Sequence, residues 1–228
     1  MPKCGLSRHI IATPHFIEGE LEPDKETILY KITALNHVIS DEGTDITIHP
    51  GMEIFLSDNL PELYEQDKLL TLNNSQYLLI ELPLYHIHPG YFEDIIFKLQ
   101  LKGLIPVIAH PERCRKFIDN PNYVYKLINN GCLMQINSGS LEGFFGKDVK
   151  LTALTLIKHN MAHFIASDSH PCPKRTVHMK RGYDIIRKRF GKAAADTLYF
   201  GNPGNIINNI PIEAGDPVKI TRNKFTLF

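Results

Sequence analysis

At 228 residues, 43% of them hydrophobic, the chain is long enough for one large core, and α/β barrels reach this size as a single domain. Lys plus Arg and Asp plus Glu balance at 25 each, so a formal net charge of zero argues against nucleic acid or an anionic membrane surface as the main partner. No run approaches the ~20 apolar residues of a membrane helix, no signal peptide is evident, and Cys4, Cys114, Cys132 and Cys172 form neither a CxxC pair nor a disulfide framework, so a soluble cytoplasmic protein is expected.

In chain order, His9 to Thr13 reads as a strand and Asp24 to Glu42 as a helix, with Ile28, Leu29, Ile32, Leu35, Val38 and Ile39 at helical spacing. Ile46 to His49 is a short strand ending at Pro50-Gly51. Ser57 to Gln66 is a helix, with Ser57 or Asp58 as its N-cap and Pro61 in the first turn. Strands are then expected at Tyr77–Leu82, Ile105–Ala109, Leu133–Asn137 and His163–Ala166, with helices at Tyr91–Lys102, Asn122–Asn129 and Asp148–Asn160 between them. Gly103 and Gly131 sit where helices should stop. Helices at Val177–Phe190 and Lys192–Tyr199 close the domain, and residues 212–228 form an irregular tail. Repeated βα units with apolar strands imply a parallel sheet, closed or distorted into a barrel, in one domain spanning 1–228.

Polar residues cluster where these strands should end, the usual place for function in such barrels. His15, Glu81, His110, Asn137, Asp168 and His170 are all expected just after a strand, and Glu53 follows Pro50-Gly51. Singly, each has an innocent alternative: His15 as a loop histidine, Glu53 as a turn cap, Ser167-Asp168 as a helix cap. Glu81 is harder to dismiss, because an unpaired carboxylate in the run Tyr-Leu-Leu-Ile-Glu-Leu-Pro would cost several kcal/mol. In extended backbone Asp168 and His170 point the same way, as joint ligands should. Three histidines and three carboxylates on one rim favour divalent ions such as manganese, iron or zinc, and the lack of a clustered cysteine argues against a structural zinc site. Two or three such ions suit hydrolysis. Arg113 and Arg175 are candidate phosphate binders, with surface ion pairing as the bland alternative. Cysteine-based phosphatase chemistry is closed, because the residues six after the cysteines are Ile10, Asn120, Ser138 and His178, none of them arginine.

The ordered set IIATPH, PGME, LLIEL, PVIAHPER, QINSGSLEGFFG, HFIASDSH and the segment Asn202–Ile206 resembles the PHP-type (polymerase and histidinol phosphatase) protein-tyrosine phosphatases of bacterial capsule and exopolysaccharide operons, the CpsB/YwqE type, from about His9 to Ile212. The resemblance implies a distorted (β/α)7 TIM-like barrel with up to three divalent ions, usually Mn2+. It also implies hydrolysis of phosphotyrosine on a cognate bacterial tyrosine kinase that regulates polysaccharide export. It casts Glu53 as a bridge between two ions, Glu81 and His110 as completing one, Asp168 as serving another, and His15 with His170 as holding the third. Arg113 and Arg175 take the phosphoryl group. That family pattern begins with a strand carrying His-x-His, then Pro-Gly-x-Asp-Asp-Gly and a helix; the chain is therefore expected to lack the first strand and helix. His86-Ile87-His88 is read as a loop coincidence rather than a replacement. Two alternatives stand beside the phosphatase: a small-molecule phosphoesterase of the histidinol-phosphatase kind, and a non-catalytic module that binds phosphate or a kinase tail. A homo-oligomer is compatible with either.

Overall fold

A computed structural model describes residues 8–85, 90–170 and 179–221. Among these residues eight short strands are interspersed with helices; six fall where strands are expected, and β2 and β4 are additional, each following another strand with no helix between. The strands are β1 (His9–Ala12), β2 (His15–Phe16), β3 (Thr47–Pro50), β4 (Glu53–Phe55), β5 (Tyr77–Glu81), β6 (Ile105–Ala109), β7 (Leu133–Asn137) and β8 (Phe164–Ala166). The helices are α1 (Lys25–Asp41), α2 (Leu60–Glu65), α3 (Tyr91–Leu101), α4 (Arg115–Asp119), α5 (Asn122–Asn129), α6 (Ser138–Glu142), α7 (Lys147–Lys158), α8 (Met179–Phe190), α9 (Lys192–Asp196) and α10 (Asn202–Ile207).

All the ladders joining these strands are parallel. One sheet runs β2-β4-β5-β6-β7-β8, and β1 pairs with β3 separately. The two pieces are continuous in register: His9 faces Thr47, and His15 faces Glu53 at the same offset. The interruption falls at Pro14, which has no N–H to give a ladder, and at Gly51-Met52. Gly51 is closely packed there: a Cβ would come within 3.0–3.2 Å of the side chains of Ile11, Leu72 and Thr13, which would have to give way to a larger residue. Among the described residues no ladder joins β8 to β2, so the α/β architecture with its parallel sheet is as expected while the series of strands is open.

Alternation along the strands separates two cores. Leu78, Ile80, Ile108, Met134, Ile136 and Ile165 face a large cluster shared with the helices, among them Ile32 of α1, Leu99 of α3, Leu127 of α5, Leu156 of α7 and Ile186 of α8. Tyr77, Leu79, Val107, Ala109, Leu133 and Phe164 form a second cluster on the other face, joined by Leu72 and Ile206 with Ile212 and Ala214 beside them. Polar residues continue this second face at the strand ends. Glu81 follows the parity of Tyr77 and Leu79, and Asn137 that of Leu133. His15 and Glu53 lie opposite Phe16 and Ile54, which belong to the helix-side cluster.

Several expected boundaries shift. α2 starts at Leu60 behind Asn59, not behind Ser57 or Asp58; Asn59 makes no capping bond, and its Nδ2 donates to Glu18 at 2.8 Å. The last helical stretch does not stop at Tyr199: α9 passes through a π-helical turn at Thr197–Gly201 into α10. Residues 211–221 contain no regular element. They are nonetheless held: Asn122 pairs twice with the backbone of Ile220, Val218 N donates to His159 O, and His163 Nε2 meets Ala214 O at 3.0 Å. No helix among the described residues is long and apolar enough to cross a membrane.

Candidate metal centre and phosphate site

Two of the site residues lie inside strands that sequence patterning does not reveal. His15 is the first residue of β2 and Glu53 the first of β4, rather than loop residues after a strand; the pairing of β2 with β4 sets them side by side. Glu81 closes β5, and His110 follows β6 directly. Four parallel strands therefore deliver two carboxylates and two imidazoles to one place. Donor atoms of His15, Glu53 and Glu81 all lie within 4.8 Å of one another. His110 Nε2 lies 3.0 Å from Glu53 Oε1 and 3.3 Å from Glu81 Oε1.

These contacts reshape the ionisation of the cluster. Burial alone would lower the His110 pKa, but its hydrogen bonds to Glu53 and Glu81 outweigh that and raise it to about 9. Burial pushes the Glu81 carboxyl up, yet His110, His15 and Arg113 hold it below its ordinary value. The His110 proton thus occupies, in this arrangement, the place of a positive charge between two carboxylates. His15 Nδ1 is buried without a hydrogen-bond partner, and the nearest carboxylate oxygen, Glu81 Oε2, is 3.6 Å away, beyond hydrogen-bond range. An orphaned imidazole nitrogen aimed at two carboxylates fits a divalent ion with nitrogen and oxygen ligands.

A second group adjoins the first. Asp168 Oδ2 accepts from Asn137 Nδ2 at 2.5 Å and from Arg113 at 3.3 Å. His170 Nδ1 lies 3.3 Å from Asp168 Oδ1, and the His170 ring is 5.7 Å from that of His15. The expected extended backbone is not what aligns these two residues. Asp168 has φ of 45°, a left-handed conformation that aspartate tolerates better than most residues, and the imidazole folds back toward its carboxylate and carbonyl. His110, with φ of 33°, is also left-handed. Left-handed non-glycine residues also occur elsewhere, at Asp67, Asn73, Asn74, Asn160 and Asn209, but those are all Asn or Asp. Histidine adopts this conformation less readily, and His110 is held there by its contacts to Glu53 and Glu81.

Two contributors, Glu112 and Phe145, escaped the sequence reading, and a third, Asn137, was singled out there without its role. Glu112, wholly buried between His110 and Arg113, accepts from Asn137 N at 2.9 Å and Ser140 Oγ at 2.6 Å. It thereby ties the turn after β6 to the end of β7. Burial raises its pKa against the pull of those hydrogen bonds. Its signal was the carboxylate inside His-Pro-Glu-Arg, too short a motif to separate a brace from a ligand. Asn137 stood out only as a strand end, without its contact to Asp168. Phe145, whose ring lies 4.5 Å from Arg113 Cζ, had no signal beyond Gly-Phe-Phe-Gly. Arg175 and His86-Ile87-His88 lie outside the described residues, as does the start of the expected helix at Val177.

A family model for capsular polysaccharide synthesis, CpsB/CapC, matches residues 5–208. The tyrosine-protein phosphatase YwqE of Bacillus subtilis is 40% identical over 217 residues, covering 95% of this chain and 85% of that protein. The tyrosine-protein phosphatase CpsB of Streptococcus pneumoniae is 34% identical over 209 residues, covering 88% and 84%. A solved structure from work on YwqE and CpsB, described there as unique metal-dependent tyrosine phosphatases, matches with a TM-score of 0.88 at 37% identity, over 94% of this chain and 86% of that one.

Proposed function

Because the chain belongs to the CpsB/CapC family of capsular polysaccharide synthesis, we propose that it is a metal-dependent protein-tyrosine phosphatase. The observation that carries this reading is the convergence of His15, Glu53, Glu81 and His110 from four strands, beside Asp168 and Arg113. His15, Glu53, Glu81 and His110 would hold divalent ions, and Asp168 with His170 would complete the set. Mn2+ is the proposed metal, with iron or zinc compatible with the same donors and up to three ions in the full centre. Such ions, when bound, supply Lewis acidity and water activated near neutral pH.

Arg113 spends one N–H on Asp168 and keeps further donors for phosphoryl oxygens, which a guanidinium can grip two at a time. Arg175 is proposed as its counterpart. Tyrosinate, with a pKa of about 10, leaves without strong acid assistance, so no dedicated proton donor is required. The proposed substrate is a phosphotyrosine protein, a cognate bacterial tyrosine kinase of capsule or exopolysaccharide synthesis. The cytoplasm is the proposed compartment, consistent with buried free thiols at Cys114 and Cys132.

Purified protein loaded with Mn2+ should hydrolyse a phosphotyrosine peptide faster than histidinol phosphate. Chelation should abolish turnover, and His110→Ala should reduce kcat/KM by about a hundredfold or more. Undiminished turnover after exhaustive chelation would overturn the reading.

A further inference from the structure

We infer that Phe145 is the positioning residue that sets Arg113 for the phosphoryl group, an inference that rests on the proposed role of Arg113. The guanidinium is bounded on two sides. Its Cζ lies 4.5 Å from the Phe145 ring centroid, and Nη1 lies 3.3 Å from Asp168 Oδ2; only 18% of the Arg113 side chain is exposed. The aromatic face attracts the cation and takes the place of water on that side without consuming an N–H. Asp168 is a weaker anchor than its distance suggests. Asn137 already engages the same oxygen, and as a proposed ligand Asp168 would share its charge with an ion. The ring contact depends on neither, so it holds the guanidinium in the loaded enzyme.

The loop that carries Phe145 is built to hold a ring still. α6 is capped by Gly143 and α7 starts behind Gly146, with φ of 96° and 100° at the two glycines. Between them Phe144 N donates to Gly139 O at 3.0 Å, Gly143 N to the carbonyls of Gly139 and Ser140, and Gly146 N to Gly143 O. Gly139 also leaves room for the pair of rings: a Cβ there would come within 2.9 Å of Phe144 Cδ2 and 3.5 Å of Phe145 Cε2. Gly139 lies two residues beyond Asn137, so the loop, Asn137 and Arg113 form one unit around Asp168.

The test pairs Phe145→Leu, which keeps apolar bulk and removes the π face, with Phe145→Tyr, which keeps the face. Both are measured in the wild-type and Arg113→Gln backgrounds. On Mn2+-loaded protein, Phe145→Leu should raise the calorimetric Kd for inorganic phosphate and the KM for a phosphotyrosine peptide by about three- to tenfold. Its kcat should change by less than about twofold, with bound metal and thermal midpoint unaltered. Phe145→Tyr should keep both constants near the parent values, and Phe145→Leu should add nothing once Arg113 is the uncharged glutamine. An unchanged Kd, an equal loss in both backgrounds, or a loss that tracks metal content would overturn the role of Phe145. If Arg113→Gln itself leaves phosphate binding intact, the reading of Arg113 fails first and is distinguished by that result.

Discussion

His163 is engaged at both ring nitrogens. Met134 N donates to its Nδ1 at 3.0 Å, so the proton resides on Nε2 and is given to Ala214 O. With both nitrogens engaged and 2% exposure, the ring is kept neutral, and burial lowers its pKa to about 4. The unfolded chain takes up this proton near pH 6.5 and the folded chain only near 4, so stability falls as pH drops through that window. The full effect is of order 3 kcal/mol, and about 2 kcal/mol should be gone at pH 5. Urea titrations at pH 7.5 and 5 should show this share of the loss in the parent and not in His163→Gln. An identical pH dependence in the two proteins would rule the mechanism out. Other residues around the site were only half legible. Glu81 announced itself because a carboxylate in an apolar run demands a partner. Glu112 did not, because its partners are a backbone N–H and a hydroxyl from a distant segment.

Among the elements, α8 is seated by Gly182. A Cβ at that position would overlap Ser138 Oγ and Tyr199 Oη, so the helix approaches α6 and the π-helical turn more closely than any other residue allows. Ser138 immediately follows Asn137, and α8 follows the segment that carries Arg175, so this seat bears directly on the proposed site. Alanine is the better helix former by about 1 kcal/mol, but overpacking against the buried Tyr199 costs about 1–3 kcal/mol. Gly182→Ala should therefore lower stability in chemical denaturation; a more stable variant would show that the contact relaxes freely. Long elements such as α1, β5, β6 and α5 emerged from the sequence nearly intact because periodicity accumulates over many residues. β2 and β4, of two and three residues, carry no period at all. They exist because β5 supplies a template beside β4, which in turn supplies one for β2.

For the whole molecule, the described part of the irregular tail, residues 211–221, is fastened to the core. Ile212 and Ala214 pack on the inner cluster, Tyr77 Oη donates to Ile210 O, and the bonds at Asn122, His159 and His163 fasten the segment across three βα units. Ending the chain after Ile210 should remove about 2–4 kcal/mol, from the apolar contacts and the hydrogen bonds together, and lower the calorimetric midpoint by several degrees. A midpoint within a degree of the parent would mean that the tail only lies on the surface.

The sequence by itself determined the α/β class and the order of most elements, and it singled out His15, Glu53, Glu81, His110, Asp168 and His170 as the candidate ligands. Periodicity and the cost of burying charge are local properties, visible one segment at a time. Only the tertiary structure decided that His15 and Glu53 face each other across a ladder. It likewise decided that a left-handed turn, not an extended strand, brings His170 to Asp168, and that Phe145 lies over Arg113. Those relations depend on strand register and on loops meeting over long separations in the chain, where no local pattern survives to report them.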